Sequence, residues 1–147
     1  MKQILTCLDL SPSSRRVFDR GADLAVALGA EVHLLHVAAP EPSFVGYDTK
    51  GGAYGRDRRA DELKAEHAEL GRRVSELRER GVTARPLLVE GTTVETILAQ
   101  ADRLQADLVV IGSHGHAALH RFLIGSTTDA LVRRCPRMLV LVPCHDD

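Results

Sequence analysis

Ala106-Asp107-Leu108-Val109-Val110-Ile111-Gly112 decides how this chain folds. Its four consecutive apolar residues, Leu108 to Ile111, leave no polar face at the two-residue period of a strand. Such a run belongs to a central parallel strand covered on both sides. A glycine- and histidine-bearing loop follows. A helix is then expected from about Ser126 to Arg134, stopped near Pro136. Met138 to Val142 reads as the last strand.

The same alternation runs back to the first residues. Thr92 and Glu95 have the spacing of a capping box, opening a helix with the apolar stripe Val94, Ile97, Leu98 and Ala101. Val82 to Val89 reads as the third strand. Before it a helix is expected from about Arg58, with Leu63, Leu70, Val74 and Leu77 on one face and Gly81 closing it. Residues 39–57 carry Pro40, Pro42, Gly46, Gly51, Gly52 and Gly55 and read as a long loop, functional or mobile. Glu31 to Ala38 is the second strand and Gln3 to Leu10 the first. Between them Ser11 is placed to cap a helix with Pro12 at its first position; Val17, Gly21, Leu24, Ala25 and Leu28 follow, and Gly29 ends it. Five strands alternating with four helices call for a single α/β domain over residues 1–147. Its sheet should be mainly parallel, with right-handed crossovers.

Composition narrows the function. The chain has 147 residues, 44% hydrophobic and 27% charged, as an ordinary soluble globular protein has. A net charge of −1 gives no long-range attraction to nucleic acid. The basic run Arg56, Arg58, Arg59 is broken by Asp57 and reads as a solvated helix start. The opening apolar run is too short for a signal-peptide core, and no segment approaches membrane-spanning length. Cys7, Cys135 and Cys144 form no Cys-x-x-Cys pair. Free thiols in a reducing cytoplasm fit them best, with Cys7 in the core.

The chemistry lies between the fourth strand and the last helix. Gly112 and Gly115 are three apart, nine residues separate Gly115 from Gly125, and Gly125-Ser126-Thr127 opens a helix. Phosphate binding needs unhindered backbone N–H groups and a positive helix end, and glycine removes the Cβ that blocks close approach. Ser126 and Thr127 can add hydroxyl donors while capping the helix. Any one of these glycines is explained by a turn or a helix start; the whole set, after a strand and before a helix, favours phosphate. It is neither GxxxxGK[ST] nor GxGxxG.

This Gly-x-x-Gly, nine residues, Gly-Ser spacing resembles the nucleotide-binding signature of the universal stress protein family. Asp9-Leu10-Ser11, Leu34-Leu35-His36-Val37 and Ala106 to Gly112 extend the resemblance along the chain, and Gly112-Ser113-His114-Gly115 resembles its ATP-binding branch. The resemblance implies a sheet of order 3-2-1-4-5, with a ligand crevice where that order reverses. It implies an ATP site with Asp9 at the ribose or adenine edge and the Val37 backbone pairing with adenine. Ile111 and Gly112 would flank the ribose, and His114 would stand among the nucleotide contacts. Gly115, Gly125, Ser126 and Thr127 would hold phosphates that carry Mg²⁺ or Mn²⁺. Asp9 also suits an Asx turn ahead of Ser11. The family often has glycine where this chain has Leu10, and a proline at the position of Met138, whereas here Pro136 comes two residues earlier.

His114, His116 and His120 crowd the glycine loop, but no carboxylate is evident beside them, and a metal riding on phosphate oxygens suits the segment better than a protein-held zinc. His33, His36 and His67 fit strand and helix patterns. Apart from Arg121 the glycine frame holds no cation, and His114 is its one candidate base. A nucleotide-dependent signalling or stress-response module, acting on a protein partner, is therefore expected ahead of a slow ATP hydrolase. AMP or cyclic AMP would use the same site. The last strand, apolar at Leu139, Val140 and Leu141 and expected at a sheet edge, points to a homodimer, as the resemblance does.

Overall fold

A computed structural model describes residues 2–40, 52–113 and 125–144. Their elements run β1 (Gln3–Cys7), α1 (Ser14–Leu28), β2 (Glu31–Ala38), α2 (Gly52–Glu79), β3 (Ala84–Glu90), α3 (Thr93–Arg103), β4 (Leu108–Gly112), α4 (Ser126–Arg134) and β5 (Met138–Val142). The five strands pair in the order β3-β2-β1-β4-β5, every pair parallel. This is the expected open α/β sheet with helices on both faces.

Strand alternation divides the core between two faces. Ile4, Leu34, Leu108 and Val110 pack with Val17 and Phe18 of α1 and with Leu70, Val74 and Leu77 of α2. Their sequence neighbours Leu5, Leu35, Val109 and Ile111 turn the other way, onto Ile97 and Ala101 of α3 and Leu131 of α4. Both faces of β4 are therefore dry, which is why Leu108 to Ile111 has no polar member.

β2, α4 and β5 have the bounds that the sequence predicts; other ends move. β1 stops at Cys7 rather than Leu10, because Leu10 takes a left-handed φ of 60° and turns the chain out of the sheet. β3 runs two residues later at its start than expected and tolerates Pro86 because it is an edge strand. α2 begins at Gly52, six residues before the expected start at Arg58. Extending a helix already nucleated on buried Leu70, Val74 and Leu77 gains a hydrogen bond per residue, which outweighs about 1 kcal/mol for each glycine. The rest of the expected loop at 39–57 lies largely outside the described residues.

Two caps also differ. The first turn of α1 starts on the Ser11 carbonyl, which accepts the Ser14 N–H at 3.0 Å, but the cap position is Ser13; the Ser11 hydroxyl is engaged elsewhere. Thr92 does cap α3 by position, yet no side-chain bond forms there. Glu95 instead accepts from Arg134 of α4 at 2.8 Å, so the capping box is replaced by a tie between the two helices.

Candidate functional site

β1 and β4 lie side by side in the sheet, but the helices that follow them pack on opposite faces. The divergence opens a crevice at their C-terminal ends, as an open α/β sheet requires where strand order reverses. A cleft of about 260 Å³ lies there, bordered by the ends of β1, β2 and β4 and the first turns of α1 and α4. Asp9, Val37, Ile111, Gly112 and Thr127, drawn from four separate segments, line it together.

Asp9 is exposed two residues beyond β1 rather than ending it. Its Oδ1 accepts the Ser11 N–H at 2.9 Å and the Ser11 hydroxyl at 2.6 Å, the Asx turn that the sequence suggests. Its Oδ2 has no partner among the described residues. Leu10, between them, holds the left-handed conformation that explains a glycine preference there. The backbone cost, about 1–2 kcal/mol, is offset by packing of the Leu10 side chain on the core.

Val37 presents backbone rather than side chain. The Leu35 carbonyl accepts the Leu8 N–H, toward β1, and the Ala38 carbonyl accepts the Gly91 N–H on the other side of β2. By strand alternation the Val37 N–H and C=O point toward β1, which has ended at Cys7. They therefore face the cleft.

On the opposite wall, the Thr128 hydroxyl donates to the Gly112 carbonyl at 3.0 Å, and the Ser113 N–H donates to the Val142 carbonyl at 2.9 Å. Those bonds moor the start of α4 and the end of β5 to β4. The Gly125 N–H is itself spent on the Ser113 carbonyl, at 3.2 Å. The first intrahelical bond of α4 runs from the Asp129 N–H to the Gly125 carbonyl, so the N–H groups of Ser126, Thr127 and Thr128 have no acceptor among the described residues. Gly125 and Ser126 adjoin the cleft at this helix start without lining it, while Thr127 lines it. His114 and Gly115, with His116 and His120, lie outside the described residues. Among the described residues no group of three His, Cys, Asp or Glu could hold a metal ion.

Several lining residues were not legible as such in the sequence. Cys7 was assigned to the core, and burial, reinforced by neighbouring Cys135, does push its thiol far up, which keeps it an unreactive thiol although it borders the cleft. Cys144 enters from beyond β5, and Thr93 and Ile97 from α3. His36 also lines the cleft; its signal was a polar residue on a strand otherwise apolar from Val32 to Val37, save His33.

The family model for the universal stress protein family matches residues 1–143. Universal stress protein A homolog 1 of Coxiella burnetii is 30% identical over 133 residues, covering 89% of this chain and 88% of its own. The solved structure of hypothetical protein MJ0577 superposes with a TM-score of 0.80 at 22% identity, covering 99% of this chain and 98% of that one. A universal stress protein in complex with cAMP superposes at 0.71, 22% identical, covering 98% of each chain. One from Archaeoglobus fulgidus in complex with dAMP superposes at 0.66, 19% identical, covering 97% of each.

Proposed function

Because the chain belongs to the universal stress protein family, we propose that it binds an adenine nucleotide, ATP by preference, in the cleft between β1 and β4 and passes its nucleotide state to a protein partner. The convergence of Asp9, the Val37 backbone, Ile111, Gly112 and Thr127 on one crevice is the observation that carries this reading. Val37 would pair with the adenine edge and Asp9 Oδ2 with ribose or adenine, with Ile111 and Gly112 flanking the ribose. The phosphates, with Mg²⁺ or Mn²⁺, would lie on the α4 amides, Ser126, Thr127 and the Gly115–Gly125 loop, with His114 beside them. Solved relatives with cAMP and dAMP support an adenine ligand and keep a monophosphate as the second reading. No described lining residue is a lysine or arginine, which favours a binding module over a phosphoryl-transfer enzyme. Among the described residues no helix is long and apolar enough to cross a membrane. A cytoplasmic location is proposed on the cysteines, Cys7, Cys135 and Cys144, which are thiols rather than disulfides, as a reducing compartment keeps them.

A thermal-shift comparison tests the nucleotide reading. ATP at a hundredfold excess over Kd should add about 2.7 kcal/mol of stability, and AMP at the same concentration clearly less. Equal shifts would favour the monophosphate, and no shift from any adenine nucleotide would overturn the site.

We also propose a homodimer through β5. This strand is a sheet edge paired on one side, and Met138 and Leu141 are exposed on it, with Val132 exposed nearby on α4. Sedimentation at tens of micromolar should give a dimer for the wild type, at about the concentration where weak self-association is read. Leu141→Glu should give a monomer that keeps its melting profile. A monomeric wild type would refute the pairing.

A further inference from the structure

His36 is 8% exposed and stands between two contacts. Its Nδ1 lies 2.8 Å from the Leu8 carbonyl oxygen, which can only accept, so this nitrogen carries the proton. Its Nε2 lies 3.5 Å from Oε2 of Glu66 on α2. That oxygen is buried and has no hydrogen-bond donor among the described residues. With a neutral ring and an ionised carboxylate, two acceptors face each other. One added proton turns them into donor and acceptor, and a buried acceptor without a donor is costly.

Among the described residues, the charged groups on the elements around this pair are engaged elsewhere. Arg59 of α2 donates to the Ala39 carbonyl and pairs with Glu62 and with Glu90 at the end of β3. Asp9, beyond β1, accepts from Ser11. The contact joins α2 to two residues adjacent to the cleft machinery: Leu8 precedes Asp9, and His36 precedes Val37. It would also add positive charge to a lining that has no lysine or arginine among its described members.

We propose that His36 is a positioning residue of the cleft: a proton held between its Nε2 and Glu66 clamps α2 to the ends of β1 and β2, and the nucleotide binds most tightly with that proton in place. The affinity consequence rests on the nucleotide reading above; the shared proton does not.

The test is calorimetric titration with MgATP at about pH 6 and about pH 8.5, across the range in which histidine charge changes, combined with nitrogen NMR of the His36 ring in nucleotide-free protein. Wild-type affinity should fall roughly tenfold over that range, the equivalent of about one unit of proton linkage. In Glu66→Gln the amide can donate to a neutral ring, so binding should stay tight at both pH values apart from the small drift due to ATP's own ionisation. His36→Asn keeps a donor to Leu8 but cannot reach Glu66, and should bind weakly at both. Matching pH slopes in wild type and Glu66→Gln, or wild-type affinity in His36→Asn at the acid end, would overturn the proposal. Should wild type bind no MgATP at either pH, the nucleotide reading fails and the ring spectra decide. At about pH 6, a ring protonated on both nitrogens in wild type but only on Nδ1 in Glu66→Gln supports the shared proton; identical protonation in the two overturns it.

Discussion

Replacing Gly125 by valine should lower ATP affinity by at least about a hundredfold, roughly 2.7 kcal/mol, while the protein stays folded. Gly125 has φ −59° and ψ 153°, a conformation open to any residue, so no backbone strain attends the substitution. It is half-buried beside the cleft, outside both core clusters. Its importance is for what approaches it. Three amides without an acceptor among the described residues, those of Ser126 to Thr128, begin immediately after it, and a helix N-terminus carries about half a positive charge. A branched Cβ before those amides crowds an incoming phosphate and leaves it partly desolvated without its donors. Adenosine, which has no phosphate, should lose little, and AMP should lose less than ATP. Titration calorimetry on a variant with wild-type circular dichroism checks this. ATP affinity within threefold of wild type would remove the helix start from the site, a change of only about 0.7 kcal/mol.

Phe18→Ala should cost about 3–5 kcal/mol of stability, a drop in melting temperature of roughly 6–20 °C for a chain of this size. The ring is 1% exposed at the junction of α1 and α2. Three guanidinium groups, of Arg15, Arg73 and Arg80, lie 5.0, 5.4 and 5.4 Å from its centroid. Two of them also hold a four-membered ion network. Arg15 meets Asp19 at 3.0 Å, and Arg80 meets Asp19 at 3.1 Å and Glu76 at 2.7 Å. Burial pushes the Asp19 carboxyl up, but hydrogen bonds from Arg15 and Arg80 outweigh it and hold it below the usual carboxylate range. The Arg15 hydrogen bond does the same for Glu76. Both carboxylates thus add stability that is present at neutral pH and is lost as the pH falls through their folded values. These pairs are exposed and individually small. The ring under them is not, because removing it leaves a cavity that the surrounding helices cannot close. Phe18→Leu keeps most of the burial and should cost less than about 1.5 kcal/mol. Urea unfolding of both variants checks the ordering, and a loss under about 1 kcal/mol for Phe18→Ala would show that the site collapses around the gap.

Much of the fold was legible because its signals are local. The apolar run Leu108 to Ile111 announces a strand buried on both faces, and the bounds of β2, α4 and β5 match those read from the sequence. Gly29 and Gly81 end their helices at φ 60° and 80°, where a side chain is strained. The spacing of Gly112, Gly115, Gly125 and Ser126 depends only on residue order; of the four, Gly112 lines the cleft, Gly125 and Ser126 adjoin it, and Gly115 lies outside the described residues.

What the sequence could not carry is whatever depends on a residue far along the chain. Gly21 reads as one member of a helical stripe, yet a Cβ there would lie 2.6 Å from the Thr6 hydroxyl oxygen, so the approach of α1 to β1 is what requires glycine. Glu95 has the spacing of a capping box, but Arg134, 39 residues on, is the stronger partner. α2 overrides its glycines because buried residues further along hold it in register. His36 matched a strand pattern in sequence, and only tertiary packing set it between the Leu8 carbonyl and Glu66 beside the cleft. Hydrophobic periodicity and glycine placement are local records of side-chain polarity and backbone preference, and they determined the layered α/β class, while the strand order was read only through the family resemblance. Contacts between separate elements decided the ends of β1 and β3, the start of α2 and the cleft lining, because their energies depend on distances that residue order does not contain.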